Sequence, residues 1–174
     1  MFILPIEGDE ASGWKPGKPI AFLNSPASER AAMFSPDGRW LAYQSTESGQ
    51  DEVYVEPFQG PRSRSKISTG GGTTPTWSRT RNKLFFAAPD RRIMVAPYSV
   101  QGDVFRAEKP RPWSEGRFVI RQRIGPTRSF DLHPDGNRFA LAKLPETQAE
   151  AEQDKLVFIF NFFDELRRIA PRSP

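Results

Sequence analysis

Cysteine is absent from the 174 residues, so neither a disulfide framework nor a thiolate zinc site can be built from this chain. Histidine is nearly absent too, with His133 alone. Long apolar runs are lacking: the longest candidate, residues 156–163, is broken by Asn161 and falls well short of the roughly 20 residues a spanning helix needs. Membrane insertion is therefore not expected. The opening Met1-Phe2-Ile3-Leu4-Pro5-Ile6 is apolar but brief, has no basic leader and runs into Glu7, Asp9 and Glu10, so it does not read as a signal peptide. Nothing in the sequence calls for a cofactor or a bound metal.

What is present suits a packed core of short segments. Apolar residues make up 37% and aromatics 12%. The 17 prolines and 13 glycines are spread along the chain, punctuating it into pieces that favour many strands over a few helices. The expected class is all-β. The net charge of +4 and pI near 9.6 reflect a crowd of basic residues: Arg62, Arg64, Lys66, Arg79, Arg81, Arg91 and Arg92. Phosphate binding would need those side chains on one face with aromatics between them. Asp37, Asp51, Glu52, Glu56 and the acidic stretch 146–154 dilute any single-sign field. Nucleic acid is thus not the expected partner, and solvated turns and strand ends are the plainer reading.

One motif organises the chain. Phe34-Ser35-Pro36-Asp37-Gly38 leads into Arg39-Trp40-Leu41-Ala42-Tyr43; Trp77-Ser78 leads into Leu84-Phe85-Phe86; Leu132-His133-Pro134-Asp135-Gly136 leads into Phe139-Ala140-Leu141. Aligning Phe34, Trp77 and Leu132 gives offsets of 43 and 55 residues, a propeller-like period. A second landmark keeps the same order: Phe2-Ile3-Leu4-Pro5-Ile6, Tyr54-Val55-Glu56-Pro57-Phe58 and Met94-Val95-Ala96-Pro97-Tyr98. Four short strands per unit are the content of a propeller blade. They are expected at 31–34, 39–45, 52–58 and 64–69, then at 74–77, 83–87, 92–98 and 111–114, then at 127–132, 138–143 and 155–160. Residues 2–6 and 20–24 read as the two outer strands of a further blade.

The predicted fold is a partial β-propeller of four-stranded antiparallel blades, two complete and two partial, with a short C-terminal helix. The organisation is outer strands of an incomplete blade over 1–27, blades over 28–72 and 73–116, an incomplete terminal blade with long loops over 117–161, and helix and tail over 162–174. The helix rests on Phe162, Leu166 and Ile169 at helical spacing, with Asn161 as N-cap.

Turn chemistry explains the recurrence. Proline presets φ, aspartate accepts from nearby backbone N–H groups, and glycine takes the positive φ that re-enters a strand. Ser35, Pro36, Asp37, Gly38, Pro134, Asp135 and Gly136 are therefore structural turn residues. In the second copy, Asn82 is expected to take the left-handed conformation. Pro5, Pro57 and Pro97 belong where a missing donor faces no partner. Gly70-Gly71-Gly72 lacks the Lys-Ser/Thr and helix of a phosphate cradle and reads as a connector between units.

Phe34 to Tyr43 followed by Glu52 to Phe58 resembles the TolB-type WD-like β-propeller repeats, which also form the propeller regions of prolyl-oligopeptidase-type peptidases. More narrowly, Tyr54 to Phe58, Ile67-Ser68-Thr69-Gly70-Gly71-Gly72, Pro75-Thr76-Trp77-Ser78 and Phe160-Asn161-Phe162-Phe163-Asp164-Glu165-Leu166 look like the C-terminal end of propeller-tailed bacterial serine/threonine protein kinases. The glycine-rich loop, strand lysine, His-Arg-Asp and Asp-Phe-Gly of a kinase are missing, as is the Gly-x-Ser-x-Gly elbow of a peptidase. His133 occupies a turn position, and Asp37 and Asp135 belong to separate turns instead of flanking one bond. No catalytic residue is assigned.

The expected function is a non-catalytic propeller segment acting as a protein-interaction or ligand-sensing module, the alternative being a regulatory propeller fragment of a kinase or peptidase. An open wedge leaves apolar faces uncovered; roughly 500 Å² per face forgoes about 12 kcal/mol of gross burial. Missing blades or a second protomer are therefore expected as partners, together with a protein or peptide bound at loop rims or an edge. Candidate contacts are Arg39, Arg79, Arg81 and Asn82 from turns and Arg121, Arg123 and Arg128 from the long insertion. The resemblance implies an extracytoplasmic or periplasmic setting.

Overall fold

The computed structural model describes residues 1–113, 115–118 and 130–141, all within one compact unit, Met1–Lys143. Every regular element among them is a strand: β1 (Phe2–Ile3), β2 (Ile6–Asp9), β3 (Gly13–Pro16), β4 (Ile20–Ala21), β5 (Glu29–Phe34), β6 (Trp40–Ser45), β7 (Glu52–Pro57), β8 (Ser65–Lys66), β9 (Thr73–Trp77), β10 (Lys83–Ala87), β11 (Ile93–Gln101), β12 (Val104–Ala107), β13 (Arg111–Pro112), β14 (Phe130–Leu132) and β15 (Phe139–Leu141). The class is all-β and every pairing is antiparallel. No sheet closes on itself among the described residues. The strand expected at 155–160 and the helix expected over 162–174 lie outside them.

The repeat holds at the level of register. Phe34 faces Leu41, Trp77 faces Leu84 and Leu132 faces Phe139. In each turn the same hydrogen bond closes the strand pair: Ser35 N to Trp40 O, Ser78 N to Lys83 O and His133 N to Arg138 O, at 2.8, 2.9 and 2.8 Å. The third strands align as well, because Phe58 N donates to Arg39 O and Tyr98 N to Asn82 O. Since N–H directions alternate along a strand, Pro57 and Pro97 sit where their nitrogen points away from β6 and β10. Even an irregularity repeats: Ala31 and Thr74 both have φ of 53°, each beside a register shift in the first strand pair of its unit.

β5-β6-β7-β8 form a four-stranded meander, and β9-β10-β11 continue with two pieces on the far edge of β11. β13 pairs Met94 and Val95, whereas β12 pairs residues 98–101. β12 was not expected, nor was the β2–β3 hairpin, and β8 is shorter than the strand predicted over 64–69. Asn82 is a further correction: among the described residues the non-glycine residues with positive φ are Ala31, Thr74 and Arg91. The β9–β10 turn spans Arg79 to Asn82 without a left-handed residue at its end, and Asn82 serves as a carbonyl acceptor instead.

Period-two alternation puts each inner strand between two cores. Trp40, Ala42, Val53, Val55 and Ile67 meet Trp77, Leu84, Phe86, Ala96 and Phe105 in the central one. The opposite face of the first sheet, Leu41, Tyr43 and Tyr54, packs on Phe22, Leu23 and Ile3 of the N-terminal ribbon. The opposite face of the second sheet, Phe85, Ile93 and Val95, packs on Leu132, Phe139 and Leu141. Sheets thus stack face to face in chain order.

Candidate interaction surface at the turn end

Because the three motif turns occupy equivalent places, the stack presents them at one end. Asp37 accepts from Ser35 Oγ and from Arg39 N, while Ser35 Oγ also accepts from Trp40 N at 3.0 Å. Burial pushes the Asp37 carboxyl up, but the Ser35 and Arg39 hydrogen bonds and the Arg39 charge outweigh it and hold it below its ordinary value. In the third turn His133 stands where Ser35 stands in the first. Its Nδ1 lies 3.1 Å from Asp135 Oδ2, and Arg138 Nε donates to the same carboxylate at 2.9 Å. The Asn137 backbone donor, Arg138 and His133 hold Asp135 below its ordinary value despite desolvation.

Gly38 and Gly136 have φ of 70° and 72°, but their surroundings differ. A Cβ on Gly38 would meet open space, whereas one on Gly136 would lie 2.6 Å from Thr80 Oγ1 and 3.0 Å from Ser78 Oγ. The third turn is seated on the second, with Thr80 Oγ1 donating to Asp135 O at 3.3 Å. Gly38→Ala is expected to cost about 1 kcal/mol from backbone strain. Gly136→Ala is expected to cost about 2–4 kcal/mol, because overpacking adds to that strain. Urea midpoints of the two variants check this; equal shifts would mean that the turn-on-turn contact yields freely.

The predicted contact residues divide sharply. Arg39 bridges to the β11–β12 hairpin, donating to Gly102 O at 2.6 Å and to Asp103 Oδ1 at 3.0 Å. It walls a cleft of about 390 Å³ with Phe58, Gln59 and Asp103, so it is a structural strut whose outer side borders solvent. Arg79, Arg81 and Asn82 are exposed on the second turn, and neither arginine makes an ion pair with the other described residues. Arg121, Arg123 and Arg128 lie outside the described residues.

The rest of the basic stretch is largely neutralised. Arg64 and Arg62 reach the Glu56 carboxylate at 2.6 and 3.5 Å, Lys66 reaches Glu52 at 3.4 Å, and Arg92 reaches Asp90 at 3.4 Å. Glu52 and Glu56, each only 1% exposed, are the polar anchors that motif reading passed over. Tyr43 Oη donates to Glu56 at 2.5 Å, and burial together with that carboxylate pushes the phenol pKa well up. The glycine loop is used internally: Gly70 N donates to Glu52 Oε1 at 3.0 Å and Gly72 N to Asp51 O at 2.8 Å. Among the described residues no group of three or more acidic or histidine side chains could hold a metal ion.

Fold and surface together define an all-β protein built of antiparallel sheets. A scan against protein-family models matches no family, and a search of curated proteins finds no match. The likeness to TolB-type repeats therefore rests on the residues alone.

Proposed function

We propose that this chain is a partial β-propeller acting as a non-catalytic protein-interaction module, with recognition at the rim formed by its turns. A four-stranded meander and a sheet that repeats its first three strands, stacked face to face, resemble the construction of propeller blades, and the shared register of the three units supports that reading. The observation that carries the interaction role is the rim itself. Hydrogen-bonded turns hold the exposed Arg79 and Arg81 in place without ion-pair partners among the described residues, while the cations deeper in the stretch are committed to Glu52 and Glu56. Rigidly held loop residues of this kind are the usual place for recognition on a β scaffold. Exposed arginine favours a carboxylate-bearing peptide or protein segment through paired N–H donors.

Selection of displayed random peptides on the intact chain tests this. Acidic peptides are expected to enrich, and Arg79→Glu with Arg81→Glu is expected to weaken them at least tenfold with the melting temperature unchanged. Absence of enrichment, or binding indifferent to both substitutions, would overturn the proposal. A nucleic-acid ligand would instead show retention on polyanions that falls steeply with salt.

A further inference from the structure

The N-terminal ribbon repeats the outer strand pairing of the two larger sheets at two successive positions. Tyr54 pairs Lys66 and Val55 pairs Ser65; Met94 pairs Pro112 and Val95 pairs Arg111; Phe2 pairs Ala21 and Ile3 pairs Ile20. β1 with β4 is therefore a third and fourth strand of the same unit. In the two full sheets the opposite edge of the third strand is taken by β6 or β10. β1 has only β4 beside it among the described residues.

The faces tell the same story. Ile3 packs inward on the next sheet, as Val55 and Val95 do. Tyr54 and Phe58, on the other parity, are covered by the ribbon, and Met94 and Tyr98 are covered by the first sheet. Their counterparts Phe2 and Ile6 are 69% and 60% exposed, Leu4 between them is 50% exposed, and Trp14, on the Ile6 face of the β2–β3 hairpin, is 63% exposed. Such an apolar patch beside a bare strand edge is unusual on a free surface. It continues a series of interfaces whose other members are all filled.

We infer that the β1 edge and the Phe2, Leu4, Ile6 and Trp14 face form a docking site for an antiparallel β-hairpin of this chain's own repeat type. The site rests on the repeat-stack reading above. The chemistry of the occupant follows from β6 and β10, whose Trp40-Leu41-Ala42-Tyr43 and Leu84-Phe85-Phe86-Ala87 are apolar on both faces: one face covers the ribbon's neighbours and the backbone adds a strand to the edge. The chain's own described hairpins are engaged elsewhere. β5–β6 and β9–β10 belong to their sheets, and β14–β15 packs on the second sheet.

A labelled synthetic peptide copying residues 29–45 serves as the probe, added to the full chain. Saturable binding is expected, with amide exchange at residues 2–4 slowed at least tenfold and Trp14 emission shifted to the blue. Leu4→Lys, at an exposed position that leaves folding intact, is expected to weaken binding at least tenfold, and a peptide carrying Leu41→Pro is expected not to bind. Failure to bind a folded chain, or protection confined to other strands, would overturn the inference. So would a dimer in which residues 2–4 are already protected, because a second copy would then be the occupant. Arg79→Glu with Arg81→Glu should leave this peptide's affinity unchanged, so a failure at the turn rim and a failure at this edge are told apart.

Discussion

Trp77→Ala is expected to remove about 3–5 kcal/mol of stability, the range for emptying a buried indole site, which is a large share of the roughly 5–15 kcal/mol that holds a domain folded. Trp77 is 2% exposed. Its ring meets Tyr98 and Phe105 edge-on at 5.2 and 6.0 Å, so its loss opens the central core where two sheets join. It also donates from Nε1 to Met33 O across that junction at 3.0 Å. Trp40, facing the same core and equally buried, has an Nε1 with no hydrogen-bond partner. The pair therefore separates packing from hydrogen bonding. Trp77→Phe should cost about 1–2 kcal/mol more than Trp40→Phe, because only the first loses an inter-sheet bond, while the second also relieves a buried donor without a partner. Urea midpoints of the three single variants measure this. Equal costs for the two phenylalanine variants would show that the indole bond to Met33 contributes nothing.

That junction illustrates what could be read from the sequence. Phe34, Trp77 and Leu132 were aligned on a turn motif and a second landmark in the same order, and they prove to be equivalent: proline, aspartate and glycine fix the local geometry of the first and third turns, and the second keeps the same closing bond, Ser78 N to Lys83 O, without them. The strand-like apolar runs that follow the motif likewise gave β6 and β10. Where local signals were weak, the reading fell short. Residues 6–16 form a hairpin with every residue exposed, so no apolar period marked it; its signal was Asp9, whose carboxylate accepts from Ala11 N and Ser12 N. β12 was announced by Gly102-Asp103, a two-residue turn of the kind that joins hairpin strands, but the stretch was taken as an insertion because it breaks the repeat length. Asn82 was assigned a left-handed φ from its residue type, whereas among the described residues the non-glycine positive-φ positions fell on Ala31, Thr74 and Arg91, where no propensity would place them. The exposed rim arginines were found by their place in turns. Glu52 and Glu56 were passed over because a carboxylate inside an apolar strand is legible only once its partners from elsewhere in the sheet and its loops, Ser68, Lys66, Arg64 and Tyr43, are brought to it.

Glu52→Ala is expected to cost about 3–5 kcal/mol, the range for breaking a buried, fully hydrogen-bonded charge. The carboxylate accepts from Ser68 Oγ, from Gln50 Nε2 at 2.9 Å and from Gly70 N at 3.0 Å, with Lys66 Nζ at 3.4 Å. Removing it strands the Ser68 hydroxyl and the connector to the second sheet together. Desolvation alone would raise its pKa, but the donors from Ser68, Gln50 and Gly71 and the Lys66 charge outweigh burial and hold it below the ordinary 4.5. A carboxyl whose folded pKa is depressed contributes stability that is present above its unfolded pKa and is lost as pH falls through the folded one. Stability should therefore hold steady from neutral pH down to about 5 and then fall through and below 4.5, with Asp37 and Asp135, both lowered, adding to the same acid limb. Glu52→Gln keeps the volume but turns an amide donor towards other donors, at a cost of about 1–3 kcal/mol near neutrality. Its acid limb should be shallower than that of the wild type, so that the two curves converge as the wild-type carboxyl takes up its proton. Denaturant titrations at pH 7, 5.5, 4.5 and 3.5 would reveal the convergence; parallel limbs would mean that Glu52 is not the group linking the first sheet to the glycine connector through its charge.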